Sequence, residues 1–170
     1  MELVRPSAKY KRSFLEALPE YDVKDPSQRY ARLDGEAMGD FDHFVREETE
    51  KSEGKHLPEG FVPETVWWLV DQGEYIGRVS IRHELTPYLL KVGGHIGYDI
   101  RPSKRGQGYG SMILQLALPK AKELGIDKVL VTCDETNKPS RKIIEKAGGV
   151  LEDKQPTESG VAKLRYWIAL

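Results

Sequence analysis

The chain has 170 residues, of which 39% are hydrophobic and 31% charged, and its formal net charge is -1. This composition predicts a soluble globular protein, and the balanced charge argues against a general attraction to nucleic acid or to membranes. No segment is long and apolar enough to span a bilayer, and the first residues lack the apolar run of a signal peptide. The single cysteine, Cys133, excludes an internal disulfide. We therefore expect one domain, residues 1–170, in the cytoplasm.

The first sixty residues predict a short strand followed by two helices. The segment "ELVR" suits a strand that ends at Pro6. Apolar residues then recur at helical spacing up to Leu18, and Ser7 can cap the start of this helix. The segment "GDFDHFVREETEKS" predicts the second helix.

Three strands are predicted next. The segments "ETVWWLV" and "YIGRVSIRH" are rich in β-branched and aromatic residues, and they flank the glycine-containing turn "DQGE". This arrangement is typical of a β-hairpin. After a connecting segment, "HIGYDI" suits a fourth strand.

A glycine-rich segment, "PSKRGQGYGS" (residues 102–111), follows the fourth strand. It precedes "MILQLALPKAKELG", a predicted helix that Gly125 would end. Glycines at alternate positions allow positive φ and a close approach of the backbone to a ligand. Two cations, Lys104 and Arg105, stand beside them. A glycine turn with cations before a helix N-terminus predicts an anion site.

The remaining segments complete a mixed sheet. "DKVLVTCD" is almost continuously apolar, as expected for a parallel strand that is buried on both faces. "NKPSRKIIEKAGG" predicts a helix, and "GVLED" and "VAKLRYWIAL" predict two final strands. The fold class that follows is α/β, with a mainly antiparallel sheet, a central pair of parallel strands and flanking helices.

The glycine-rich segment fits some phosphate ligands better than others. A nucleoside-triphosphate loop needs lysine and then serine or threonine after its last glycine, and here Ser111 and Met112 stand at these positions. A dinucleotide site is favoured by "GYGSMI" after a strand and by Asp134 at the end of the next one. Ile113 opposes it, because close helix–strand packing needs a small residue there.

Residues 105–110, "RGQGYG", match R-x-x-G-x-G, the acyl-CoA signature of the GNAT-type N-acetyltransferases, and the chain resembles this family. The order of predicted elements is similar over nearly the whole chain, and "NKPSRKIIEKAGG" resembles the family's next helix. The segment "RHELTPYLLKVGGHIGYDIRPSKRGQGYG" resembles a bacterial branch. The resemblance implies the GNAT fold, acetyl-CoA as co-substrate and transfer of its acetyl group to a primary amine.

The resemblance also implies which residues bind acetyl-CoA. Backbone N–H groups of the signature would hold the pyrophosphate, with charge added by Lys104 and Arg105. The backbone of Ile100 would bond to the pantetheine arm. Asn137 would contact the same arm, with Ser140 beside it, although Asn137 could also simply cap its helix. The complete expected set is Ile100, Lys104, Arg105, Gly106, Gln107, Gly108, Tyr109, Gly110, Ser111, Asn137 and Ser140.

The proton donor for the leaving thiolate is the open point. Many members of the family carry a tyrosine at the position of Ile144, so the acid must come from elsewhere, be water, or be dispensable. The candidates are Tyr98, His95 and Glu84, although His95 and Tyr98 cannot both face the site in a regular strand. Cys133 is expected in the core rather than as a nucleophile. The histidines show no metal-ligand spacing, and we expect no metal.

The acceptor is expected to be an amine, either a small molecule or a peptide. Residues 15–60 hold thirteen Asp or Glu against six Lys or Arg, which suits a cationic partner and equally suits a solvated helix. A sensor that binds acyl-CoA without catalysis is the alternative, because tyrosine is absent at position 144. A homodimer through an exposed edge strand near "RYWIAL" is possible on this sequence.

Overall fold

The computed structural model describes residues 1–21 and 39–170. Within these residues, helices and strands follow one another in the order that the sequence predicts. The bounds are β1 (Glu2–Val4), α1 (Lys11–Ala17), α2 (Phe41–Ser52), β2 (Glu64–Asp71), β3 (Glu74–Arg82), β4 (Ile96–Ile100), α3 (Tyr109–Glu123), β5 (Lys128–Asp134), α4 (Lys138–Lys146), β6 (Val150–Gln155) and β7 (Lys163–Ala169). Short 3₁₀ helices cover Ala8–Tyr10, Leu18–Glu20 and Pro102–Lys104, and Leu89–Gly93 forms a π-helical turn.

The seven strands form one mixed sheet in the order β1-β2-β3-β4-β5-β7-β6. Every neighbouring pair is antiparallel except β4 and β5, which are parallel. The α3 helix connects these two strands, as a parallel pair requires. The predicted mainly antiparallel sheet with one central parallel pair is confirmed.

Among the described helices, α3 and α4 pack against one face of the sheet, and α1 and α2 pack against the other. We call them the α3/α4 face and the α1/α2 face. The α3/α4 face buries Val79, Ile96 and Val131 with Ile113 and Leu114. On the α1/α2 face an aromatic cluster lies beneath the helices, with the Phe14 and Trp68 rings stacked at 4.6 Å. The cluster consists of Phe14, Phe41, Phe44, Trp68 and Tyr75.

Local signals behave as the sequence predicts. The Ser7 hydroxyl accepts from Lys9 N–H, and Gly125 has a positive φ of 81° just after α3. The β2–β3 turn has positive φ at both Gln72 and Gly73, 49° and 83°. This pair of angles is that of a type I′ turn, which matches the twist of a hairpin.

The prediction of an exposed edge strand near "RYWIAL" was wrong. The β7 strand pairs with β5 on one side and with β6 on the other, so the edge next to it is β6. The β6 strand also continues to Gln155, two residues beyond the predicted strand segment "GVLED". An alternating apolar pattern identifies a strand without identifying its neighbours, which is why β7 could not be ordered from sequence.

Two further expectations concern the acidic segment and membrane-spanning helices. Residues 22–38, which contain part of the acidic segment 15–60, lie outside the described residues. Among the described helices, none combines the length and apolar character needed to cross a membrane.

Candidate functional site

The central feature is an opening between the two parallel strands. The β4 and β5 strands pair at Ile96 and Val131, and no later pair is formed between them. Both strands nevertheless continue, β4 to Ile100 and β5 to Asp134. The β4–β5 opening is therefore a stretch of strand edge inside the sheet, with backbone groups that no ladder satisfies.

Hydrogen bonds to β3 decide which residues of β4 face this opening. Arg82 N–H donates to the His95 carbonyl at 2.8 Å, and Arg101 N–H donates to the Ile76 carbonyl at 2.9 Å. The odd-numbered residues of β4 therefore bond to β3, and the even-numbered residues turn their N–H and C=O groups toward β5. Tyr98 is thereby the residue whose backbone groups face the middle of the opening.

The end of β4 is bonded in a different way. Ile100 N–H donates to Asp99 Oδ1 at 2.8 Å, and the Ile100 carbonyl accepts from Arg105 Nε at 2.9 Å. The Arg105 guanidinium also bonds to Asp99 Oδ1 at 3.0 Å. The predicted ligand residues Ile100 and Arg105 are thus brought together, and they bond to each other.

Next to the opening lies the glycine-rich loop. Gly106 and Gly108 have φ of 75° and 89°, and a Cβ at either position would meet nothing within 4 Å. These two glycines therefore meet a conformational need, since other residues rarely adopt such angles. Gly110 has a different role, because a Cβ there would approach Ile143 Cδ1 to 2.7 Å, so it permits close packing of α3 on α4.

Unpaired donors collect at this loop. The N–H groups of residues 106–110 donate to no acceptor within the described part of the chain, while Ser111 and Met112 N–H bond to the Gly108 carbonyl. The donors lie at the N-terminus of the fifteen-residue α3, where the helix dipole is positive. This arrangement fits a pyrophosphate, whose oxygens accept several N–H bonds.

The flanking side chains tie the loop to the rest of the protein. Lys104 Nζ lies 2.6 Å from Glu74 Oε2, and Gln107 Nε2 donates to the Ser103 carbonyl. The Tyr109 hydroxyl donates to Asp71 at 3.2 Å. Both predicted cations, Lys104 and Arg105, therefore have carboxylate partners in this structure.

On the other side of the opening, α4 begins at the predicted asparagine. Asn137 caps the helix, because its Oδ1 accepts from Ser140 N–H at 3.1 Å. The Ser140 hydroxyl lies 3.0 Å from the Tyr98 hydroxyl. Tyr98 faces the same side of the sheet as α4, so β4 and α4 meet here through two hydroxyl groups.

Tyr98 is half-buried and Cys133 is buried, and this removal from water controls their protonation. Burial raises the pKa of Tyr98 to about 12, only partly offset by its bond to Ser140. Burial, with the Asp134 charge, raises the pKa of Cys133 to about 11. Tyr98 therefore keeps its proton at neutral pH, and Cys133 remains a thiol. Ile144, fully buried one turn beyond Ser140, packs in the core.

The other two candidate acids lie apart from Tyr98. His95 Nδ1 accepts from Leu130 N–H at 2.9 Å, and the imidazole is buried 6.3 Å from the Trp167 ring on the opposite sheet face. Burial, reinforced by the Arg82 charge, lowers the His95 pKa to about 4. Glu84 is exposed in the segment after β3. The structure thus brings Tyr98 and Ser140 together, and it separates them from His95 and Glu84.

Sequence reasoning missed the carboxylates that hold the loop. Asp99, Glu20 and Glu74 each bond to a residue between Arg101 and Arg105. Alternation along β4 could have assigned Asp99 to the face opposite Tyr98. No local signal links Glu20 to a loop about eighty residues later.

Solved structures share this fold over the full chain. A RimL ribosomal L7/L12 alpha-N-protein acetyltransferase in complex with coenzyme A has a TM-score of 0.71 at 15% identity, covering 99% of this chain and 93% of that one. The microcin C7 self-immunity acetyltransferase MccE, in complex with acetyl-CoA and AMP, has a TM-score of 0.69 at 14% identity, covering 99% and 91%. A GNAT-family acetyltransferase from Bacillus anthracis has a TM-score of 0.64 at 20% identity, covering 98% and 93%.

The sequence itself decides the family. A comparison with curated proteins found no match. Residues 15–150, which contain the loop, the opening and α4, match the acetyltransferase (GNAT) domain. The matched range thus includes both the glycine-rich loop with its free N–H donors and the parallel strands that separate beside it. The chain is therefore a member of the GNAT acetyltransferase family.

Proposed function

We propose that this protein transfers an acetyl group from acetyl-CoA to a primary amine, and that residues 1–170 act as one catalytic domain. The observation that carries this proposal is the row of free N–H donors at the start of α3, next to the β4–β5 opening. Such a loop fits the pyrophosphate of a CoA ester. The opening offers strand-edge N–H and C=O groups to an amide-containing pantetheine arm.

The chemistry needs few groups from the protein. The amine nitrogen attacks the thioester carbonyl, the C–S bond breaks, and the CoA sulfur leaves as a thiolate that must gain a proton. An acceptor ammonium must first lose one proton to the solvent, because only the neutral amine is a nucleophile. After the attack the nitrogen loses a second proton and becomes the amide nitrogen. Holding the two reactants together in the opening supplies much of the rate enhancement.

The amine class rests on similarity and on charge. One structural neighbour is named as an alpha-N-protein acetyltransferase of ribosomal L7/L12, and another was solved with acetyl-CoA and AMP. An acceptor here would be a peptide terminus or a small-molecule amine. The acid-rich segment 15–60 suits an acceptor that carries positive charge before reaction.

Ligand binding is the first test. Acetyl-CoA should raise the midpoint of thermal unfolding, because a ligand that binds only the folded state stabilises it. S-acetyl-4′-phosphopantetheine, which lacks the pyrophosphate, should stabilise much less, and NAD should not stabilise at all. No shift with acetyl-CoA, or a larger shift with NAD, contradicts the proposal.

Turnover is the second test. Free thiol should appear with acetyl-CoA and an amine from a panel of peptides and polyamines, faster than without amine. Tight binding of acetyl-CoA without thiol release from any amine would favour the sensor, which the isoleucine at position 144 supports.

We further propose that Tyr98 gives its proton to the departing thiolate. Its hydroxyl lies at the first turn of α4, 3.0 Å from Ser140 and one turn from Ile144. The Tyr98 phenol on β4 would thus act as the acid in place of a tyrosine on α4, where this chain has Ile144. Its raised pKa keeps the proton available at neutral pH, and Ser140 can orient it.

Replacing Tyr98 by phenylalanine should therefore reduce kcat by about 100-fold, at the lower end of the range of general acid catalysis. The KM for acetyl-CoA and the thermal midpoint should change little. Tyr166→Phe is the matched control, because Tyr166 faces the same side of the sheet and its hydroxyl bonds instead to Glu145. Equal kcat values for the Tyr98→Phe variant and the wild type would remove Tyr98 from the mechanism.

A further inference from the structure

The turn before the glycine-rich loop is held by a group of charged side chains from distant parts of the chain. Arg101 follows β4 and precedes the 3₁₀ helix Pro102–Lys104, which leads into the loop. Glu20 ends the 3₁₀ helix after α1, and Glu74 begins β3. These elements converge on one turn, so its position is decided by tertiary contacts.

Glu20 makes the most specific of these contacts. One carboxylate oxygen, Oε1, accepts from the Arg101 guanidinium at 2.6 Å, and the other, Oε2, accepts from the Ser103 backbone N–H at 2.9 Å. Both oxygens are thus used on neighbouring residues of the same turn. Such a fork fixes orientation as well as distance, unlike a single surface ion pair.

Glu74, the first residue of β3, extends the contact to the sheet. It bonds to Arg101 at 3.2 Å and to Lys104 at 2.6 Å. The side chain of Arg101 is only 13% exposed and that of Glu20 24% exposed, so these charges are partly shielded from water. We call Glu20, Glu74, Arg101, Ser103 and Lys104 the loop clamp.

The loop clamp has consequences for both sides of the candidate site. On the cofactor side, it positions the residues immediately before the free N–H groups of Gly106–Gly110. On the other side, Glu20 stands directly before Tyr21, which is buried against Trp68 and Tyr75 in the core of the α1/α2 face. Glu20 therefore links the turn before the loop to the end of α1 through hydrogen bonds.

We propose that Glu20 is a positioning residue that couples the acyl-CoA loop to the end of α1. This inference rests on the proposed acetyl-CoA binding at the loop. Occupancy of the loop orders the clamp, and the ordered clamp holds the end of α1 in place. Because coupling is reciprocal, whatever holds the end of α1 also favours acetyl-CoA binding.

Hydrogen exchange measured with and without acetyl-CoA tests the coupling. In the wild type, acetyl-CoA should slow exchange in the loop and also in a peptide covering residues 11–21. In Glu20→Gln, which keeps one acceptor oxygen, the loop should still be protected while residues 11–21 lose that response. The dissociation constant for acetyl-CoA should rise about 3- to 10-fold, the range of one ordinary net hydrogen bond.

Two further variants separate positioning from general destabilisation. Arg101→Lys keeps the charge and removes the guanidinium that bonds to Glu20, so it should reproduce the effect of Glu20→Gln. The effects of the two changes in one protein should be less than additive. Glu16→Gln is the matched control, because Glu16 lies on the same segment and, within residues 1–21 and 39–170, pairs only with the exposed Arg12. It should behave as wild type, and equal thermal midpoints of the variants would show that folding is intact.

The outcomes are distinct. If Glu20→Gln retains both the affinity and the response of residues 11–21, or if Arg101→Lys does not reproduce its effects, the coupling is refuted and Glu20 is a surface ion pair. If the variants unfold at lower temperature and bind acetyl-CoA normally once folded, the role is structural and the inference fails. If the wild type does not bind acetyl-CoA at all, the proposed function itself fails.

Discussion

At the scale of single residues, His95 shows how a side chain can take the place of backbone in a sheet. The imidazole Nδ1 of His95 accepts a hydrogen bond from the backbone N–H of Leu130. The backbone N–H of His95 donates to the Leu130 carbonyl at 2.7 Å. One residue thus makes both bonds to the neighbouring strand. A protonated Nδ1 could not accept, so this contact requires a neutral imidazole. His95 serves here as a structural acceptor, and its place as a candidate acid stays untested.

This contact predicts a pH dependence of stability. The folded-state pKa of His95, about 4, lies below the ordinary value of 6.5, because of burial and then the Arg82 charge. Between these two pKa values, the imidazole of His95 therefore binds a proton in the unfolded chain and not in the folded one. The stabilisation is complete above pH 6.5 and declines by up to about 1.4 kcal/mol per pH unit as the pH falls toward 4.

His95→Asn should remove this decline, because the asparagine oxygen can accept from Leu130 N–H without titrating. Denaturant unfolding of both proteins at several pH values between 7 and 4.5 measures the difference. His43→Asn, a change on the exposed side of α2, is the control and should follow the wild-type curve. Parallel curves for the His95→Asn and wild-type proteins would show that His95 does not contribute.

At the scale of elements, a buried ion pair attaches α2 to the sheet. Glu48 accepts from Arg78 on β3 at 2.8 Å, and their side chains are 1% and 7% exposed. Lys51 lies 3.1 Å from the same carboxylate. Burial alone would raise the Glu48 pKa, but the charges of Arg78 and Lys51 lower it overall. The pair also specifies which turn of α2 lies over β3.

Glu48→Gln should lower the free energy of unfolding by about 3–5 kcal/mol, since it leaves the buried Arg78 guanidinium without this carboxylate. Glu47→Gln is the neighbouring control, because Glu47 is 37% exposed and its one ion pair among the described residues is with His43 at 3.6 Å. Its effect should stay within about 0.5 kcal/mol. Urea unfolding measures both. Similar losses for the two variants would mean that the buried pair adds nothing to stability.

At the scale of the whole molecule, the sheet separates two kinds of contact. The α3/α4 face carries Tyr98, Ser140 and the start of the loop, whereas the α1/α2 face carries the aromatic cluster and the Glu48–Arg78 pair. Between β4 and β5 the sheet opens, since the strands pair at one position. The opening is therefore a stretch of strand edge inside the sheet, bordered by Tyr98 on β4 and by the residues of β5 beyond Val131.

The sequence by itself determined the order of the elements, the turn at Gln72 and Gly73, the cap at Asn137 and the glycine-rich loop before α3. Each of these depends on backbone preferences of a few neighbouring residues, which a sequence displays directly. The family also followed from sequence, because its signature is contiguous.

Only the tertiary structure decided the partners of these local features. It set β6 at the edge, paired Arg105 with Asp99 and Lys104 with Glu74, and brought the Tyr98 hydroxyl to Ser140. It also connected Glu20 to Arg101 across the chain. These contacts depend on how the helices pack on the two faces and where β4 leaves β5, and periodicity within a segment carries no information about either.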